Sequence, residues 1–381
     1  MKKTCCIILI ILILLVPQVV YSSAEDILQE QTEELNISSF IQEADKYTQN
    51  IFPELNIGEL FNSAITGKID NGIIYRAIVS IIGKEVASGI TALGSILVII
   101  VIHSILKTFS EGLNNKGISQ ITYYVEYILI VTLIMTNFTS IIEITKQTIQ
   151  NLVGFMNSLI PILITLMITT GNITTANVVQ PVILFLIGFI GNGIITIILP
   201  LLLISTVLGI ISNISNKIQI NKLSKYFKSS IVWVLGIVLT VFVGVLSIEG
   251  TLTSSVDGIT AKTAKAAVSS FIPIVGKILG DAVDTVIGCS AVLKNAVGLV
   301  GIVIIIGICI LPIIRLSVLT ICYYITSAIC EVIADEKIVK LLDQMADSFK
   351  ILLAILFAAS TMLLIGITLA VKISNSGLMY R

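Results

Sequence analysis

Apolar residues follow two kinds of pattern along this chain. Across residues 25–86 they recur on single helical faces: Phe40, Ile41, Ala44, Tyr47 and Ile51, then Ile57, Leu60, Phe61, Ala64 and Ile65, then Ile74, Ala77, Ile78, Ile81 and Ile82. Spacings of three and four predict amphipathic helices. Ser39 and Gln42 read as a capping box for the first, which Pro53 closes, and Gly67 suits the C-cap of the second. From residue 87 the apolar residues form unbroken runs instead, at 87–106, 121–142, 152–170, 178–211, 231–248, 296–334 and 351–371. Runs of about 20 predict transmembrane helices, and short alternating segments of the outer-membrane barrel kind are missing.

Two runs are too long for one pass. Val178–Ile211 is 34 residues, which as one helix would measure about 51 Å against a hydrocarbon core of about 30 Å. Gly191-Asn192-Gly193 interrupts it, so the expectation is two short passes meeting at a tight turn, or equally a re-entrant hairpin. Ala296–Ala334 is 39 residues, broken by Pro312 and Arg315. A charge at the bilayer centre costs about 2.5 kcal/mol or more, which places Arg315 at a cytoplasmic turn between passes. The count is then nine passes with the chain ends on opposite sides.

Composition agrees with this reading. Of 381 residues 56% are hydrophobic and 12% charged, and the mean hydropathy is +1.04. Soluble domains carry about 25% charged residues, so a soluble globule and a disordered chain are both excluded. Lys+Arg and Asp+Glu are 23 each, a balance that offers nothing to nucleic acid. The distribution of charge says more. Lys2-Lys3, the apolar run Cys5–Val16 and the small residues Ser22-Ser23-Ala24 have the three regions of a secretory signal peptide cleaved after Ala24. Nine acids against one base follow between Glu25 and Glu59, as expected of an exported region. Lys217, Lys222, Lys225 and Lys228, with no acid among them, mark Ser212–Ser230 as cytoplasmic.

The fold class expected is all-α: a polytopic helical membrane protein with a cleavable signal peptide and a small exported helical N-terminal region. Residues 1–24 are the signal peptide and 25–86 the exported acidic helices. A first membrane bundle of about five passes covers 87–211, a basic cytoplasmic loop 212–230 and a further span 231–248. An extracytoplasmic segment follows at 249–295, where Val275, Ile278, Leu279, Ala282, Val283, Val286 and Ile287 make a separate amphipathic helix. About three passes complete 296–381.

Few residues carry chemistry. His103, the sole histidine, and Glu126 lie inside spans, where an ionisable group is a functional candidate or one facing headgroups. Gly191, Asn192 and Gly193 break a run in the way that water-accessible helices of transporters are broken. Asp281 and Asp284 sit one turn apart, facing an aqueous vestibule, a basic partner, or bulk water. Arg315 completes the candidates. Cys289, Cys309, Cys322 and Cys330 lack metal-ligand spacing, and H-E-x-x-H, G-x-S-x-G and Walker A motifs are all missing. No cofactor and no enzymatic reaction are expected.

Several strings carry a resemblance: Phe271-Ile-Pro-Ile-Val-Gly276, Asp281-Ala-Val-Asp284-Thr, Leu293-Lys-Asn-Ala-Val-Gly298, Ser158-Leu-Ile-Pro161 with Thr169-Thr-Gly-Asn-Ile-Thr-Thr, and Tyr123-Tyr124. With the order of segments they make the chain resemble the stage III sporulation protein AE family of endospore-forming bacteria. The resemblance implies a membrane component of a channel-like secretion complex between mother cell and forespore, seated in the mother-cell-derived membrane. The partners it implies are other membrane subunits of that complex, with energy from a separate cytoplasmic ATPase. A self-sufficient permease with a substrate site near Asn192 is the alternative.

Overall fold

A computed structural model describes residues 24–34, 37–48, 56–66, 71–112, 116–214, 220–271 and 275–379. The signal-peptide segment, Pro53 and Gly67 lie outside the described residues. Among those described there is no strand. Three short helices come first: α1 (Ala24–Glu34), α2 (Ile37–Thr48) and α3 (Ile57–Thr66). Long helices follow: α4 (Asn71–Gly112), α5 (Lys116–Thr169), α6 (Ile173–Gly193) continuing through a π-helical turn (Ile194–Ile198) into α7 (Leu199–Ile214), α8 (Asn221–Phe271), α9 (Val275–Cys330) and α10 (Glu336–Met379).

The first two amphipathic faces fall where the spacing puts them; of the third, the side chains of Ile74, Ala77, Ile78 and Ile81 lie outside the described residues and Ile82 is 42% exposed. Phe40 and Ala44 of α2 and Ile57, Leu60 and Phe61 of α3 are buried. The caps differ from expectation. Helix α2 begins at Ile37, so Ser39 lies inside its first turn. Helix α3 is capped by Asn56, whose Oδ1 accepts the N–H groups of Gly58 and Glu59 at 2.9 and 3.2 Å.

The long helices are more continuous than hydropathy suggests. The runs 121–142 and 152–170 share α5, a 54-residue helix about 81 Å long at 1.5 Å per residue. No turn occurs at Gly191-Asn192-Gly193: Gly193 has helical angles (φ −60°, ψ −41°) and the chain passes on into the π turn. Gly191 is needed for packing, since a Cβ there would stand 2.4 Å from Val153 Cγ2 on α5. Arg315 likewise lies inside the 56-residue α9, where Glu85 of α4 approaches its guanidinium laterally at 3.9 Å, so no turn is needed to accommodate the charge. The segment 275–287 is the opening of that same α9, not a separate helix.

The nine inferred spans are therefore carried by six continuous helical rods. Among the described residues five stretches are long and apolar enough to cross a membrane: Tyr127–Thr169, Ile173–Asn213, Asn221–Ile248, Asp284–Cys330 and Glu336–Lys372. The first inferred span, 87–106, is in α4, several of whose side chains lie outside the described residues.

The tight turn that does occur joins α5 to α6. Gly171 has φ +83°, Asn172 N–H reaches Met167 O at 3.0 Å and Gly171 N–H reaches Ile168 O at 2.9 Å. That is a Schellman motif, in which the left-handed residue is best served by glycine.

Two apolar cores stack along the rods. One combines α2 and α3 with Leu152–Met167 of α5, Ala176–Ile187 of α6 and Leu293–Cys309 of α9. The other combines Tyr127–Ile149 of α5, Ile194–Ile210, Leu316–Cys330 of α9 and Ile338–Ala359 of α10. Gln31 of α1 accepts from Ser290 of α9 at 3.2 Å. Two turns on, Gly298 of α9 abuts Val371 near the far end of α10. The beginning and the end of the described chain thus share one end of the bundle, correcting the expectation of opposite ends.

Candidate functional site

The structure does not gather the sequence-derived candidates into one place. His103 lies on α4, Glu126 on α5 and Asp281 on α9, with side chains outside the described residues. Asp284 is exposed on α9. Asn192 is exposed on the outer surface of α6, where its carbonyl accepts from Thr196 Oγ1 at 2.6 Å. Behind it Gly191 lines a small apolar cleft of about 20 Å³ with Val153, Ile190, Phe242 and Met362, which offers no converging polar groups. Arg315 and Glu85 join α9 to α4, with 37% and 17% of their side chains exposed. Among the described residues no three His, Cys, Asp or Glu side chains are grouped so as to hold a metal ion.

What the apolar runs concealed is a polar row on α5. Thr132, Thr136, Thr139, Ser140, Glu143, Gln147, Gln150, Asn151, Asn157 and Thr165 are all exposed, and intervals of about three and four put them on one face. The threonine hydroxyls that bond the preceding turn, as Thr136 Oγ1 does to Thr132 O at 2.8 Å, tolerate lipid. The middle of the row does not. Glu143, Gln147, Gln150 and Asn151 present a carboxylate and three amides, and charged residues at a helix centre cost about 2.5–3.5 kcal/mol each on insertion. Lys146 Nζ donates to Glu143 Oε1 at 3.2 Å, so the only charges in the row neutralise each other. The signal was readable as polar residues at helical spacing running through both apolar stretches. Treating 143–151 as a loop hid it.

At its far end the row meets the N-terminal helices. Ser158 Oγ donates to Glu43 Oε1 of α2 at 2.8 Å, and Phe40 and Tyr47 pack on Phe155 with centroids 6.1 and 5.8 Å apart. Burial, and then the Glu43 carboxylate, hold the Tyr47 phenol above its ordinary value. Deeper in this core Lys294 of α9 is wholly buried, a cation that the sequence placed in a recognisable string without a role.

A second polar cluster ties α7, α8 and α10 together at the other end. Gln344 of α10 donates to Asn221 Oδ1 at 3.1 Å and accepts from Asn213 Nδ2 at 3.0 Å. Its backbone carbonyl accepts from Lys228 Nζ at 2.9 Å. Ser205 donates to Ser224 O at 2.8 Å, and Thr206 donates to Ser348 Oγ at 3.0 Å. Such bonds between apolar helices hold them in register where hydrophobic burial discriminates little between lipid and neighbour. Lys228, counted at first only as one charge of a basic loop, is thus a structural donor.

Comparison with known proteins now decides the family. The profile described as Stage III sporulation protein AE (spore_III_AE) matches residues 55–374. The chain belongs to this family. It is 30% identical over 306 residues to Stage III sporulation protein AE of Bacillus subtilis (strain 168), covering 80% of this chain and 77% of that protein. No solved structure matches. The match to the AE family takes in α3 through most of α10, and two of the strings that suggested it now have physical meaning. Gly171 makes the α5–α6 turn, and Gly298 lets α9 and α10 touch.

Proposed function

We propose that this chain is a non-enzymatic integral membrane subunit of a sporulation-specific channel or secretion complex linking mother cell and forespore, required for spore development after engulfment. The observation that carries the reading is the family match over residues 55–374. In this reading the chain sits in the mother-cell-derived membrane around the forespore, with residues 25–86 in the intermembrane space. Other membrane subunits surround it, and a separate cytoplasmic ATPase supplies energy.

The rods support that sidedness. With α1–α3 exported, three rods (α4, α5 and α6–α7) precede Lys217–Lys228, and an odd number returns the lysines to the cytoplasm as positive-inside placement requires. The apolar character of the cleft beside Asn192 gives a self-sufficient permease no solute site there. Deleting the gene should leave vegetative growth intact and arrest development after engulfment, and a tagged chain should bring down other membrane subunits. Normal sporulation in the deletion strain overturns the proposal.

A further inference from the structure

We infer that the polar row of α5 lines a water-filled path, making this chain part of the conduit wall and not only an accessory to it. The inference rests on the channel-complex reading and assigns the lining to one face of one helix. Three observations carry it.

The row is long and continuous, from Thr132 to Thr165, and its middle is occupied by Glu143, Gln147, Gln150 and Asn151, all exposed. The inference places these groups, which lie between the apolar stretches 121–142 and 152–170, at hydrocarbon depth; lipid there cannot hydrogen-bond them, so such a face meets either protein or water.

The neighbouring outer faces are of opposite character. On α6, Phe185 and Phe189 are 66% and 64% exposed, and on α4, Ile90 and Val98 are 62% and 59% exposed. Both helices pack against α5. The helices packed beside α5 thus carry apolar outer faces that differ from each other, aromatic on α6 and aliphatic on α4. One row cannot enclose a path. Two unlike flanks suit head-to-side association of further copies of the chain, an arrangement that forms a ring where the rotation between copies closes; in the inferred path that ring turns every α5 row towards its axis.

The row also opens onto a polar element. Ser158, at its far end, donates to Glu43 of α2 at 2.8 Å, so water in the path would continue to the acidic N-terminal helices. The wall is made of hydroxyls, amides and the self-neutralised pair Glu143–Lys146. That chemistry suits small hydrophilic solutes of either charge.

The experiment is thiol accessibility in membranes containing the full chain. Single cysteines replace Thr136, Ser140, Gln147 and Asn151 on the row, and Ile90, Phe185, Ile197 and Val232 on outward apolar faces. Cys289, Cys309, Cys322 and Cys330 set the background. Charged, membrane-impermeant thiosulfonates should label the row positions at least ten-fold faster than the apolar ones. Equal rates at both sets overturn the inference, whether lipid or tightly packed protein covers the row. T136C and S140C are near-isosteric replacements of exposed residues, so misfolding does not decide the outcome. A further arm uses Glu143→Gln, which leaves Lys146 as the row's lone charge. The ratio of anionic to cationic reagent rates at Asn151→Cys should rise several-fold; an unchanged ratio places Glu143 outside the path and overturns the assignment. Labelling is read in membranes without reference to spore formation, so its failure is distinguishable from failure of the channel-complex reading, which the deletion strain tests.

Discussion

Gly191 and Gly298 serve the same end on different rods: each lets two helices approach to where a side chain would collide. A Cβ at Gly298 would stand 2.5 Å from Val371 Cγ2, whereas one at Gly193 meets nothing within 4 Å. Valine is stiff about χ1 and yields poorly. Gly298→Ala should therefore destabilise the detergent-solubilised protein by about 1–3 kcal/mol. Gly193→Ala, at a helical residue with open space, should stabilise it by about 0.5–1 kcal/mol. Thermal unfolding of the two variants side by side checks both signs. The sequence offered Gly191 and Gly193 as a break. Nothing in Gly-Asn-Gly itself distinguishes a turn from a close approach, because either needs a missing side chain and only the neighbour, Val153, tells which. Gly171 shows the opposite case, a left-handed residue inside a string that looked like plain family signature.

Between elements, Gln344 is the joint whose loss is easiest to measure. Gln344→Leu keeps the shape but removes the partners of Asn213 and Asn221, while the bonds from Lys228 and Ser348 to the backbone carbonyl remain. Two stranded amides should cost about 1–3 kcal/mol. A double-mutant cycle with Asn213→Leu should return a clear coupling energy, since the two residues share a bond; strict additivity would show that the amide pair contributes nothing. The short N-terminal helices were legible in outline. Phe40, Ala44, Leu60 and Phe61 are buried on the predicted faces, although α2 begins at Ile37, ahead of the expected Ser39 cap, and the cap of α3, Asn56, went unread. Helix continuity was not legible from hydropathy alone; in α5 only the helical spacing of the polar residues carried it. Hydropathy measures apolar density and carries no direction, so the polar middle of α5 read as a loop, and Arg315 read as a turn because its partner Glu85 is 230 positions away in sequence.

For the whole molecule, six rods taken as one crossing each would keep the lysine-rich stretch on the proposed cytoplasmic side and move the C-terminus to the other. With Gly298 against Val371 and Gln31 against Ser290, the first and last described helices meet at one end of the bundle. A phosphatase fused after Arg381 should then be active outside the cytoplasm, and a fluorescent protein that matures only in the cytoplasm should stay dark there. The opposite pattern would restore an odd number of crossings.

The seating of α1–α3 also dictates an order of events during biosynthesis. Gln31 and Ser290 are separated by 259 positions, and Ile37, Phe40, Ile57 and Phe61 share a core with residues beyond Leu293. The N-terminal helices can meet α5 early, through Phe155 and Ser158, but their seat stays incomplete until α9 has been made and threaded. A nascent chain stalled before that point holds an unfinished upper half, vulnerable to proteases and in need of a chaperone on whichever side it waits.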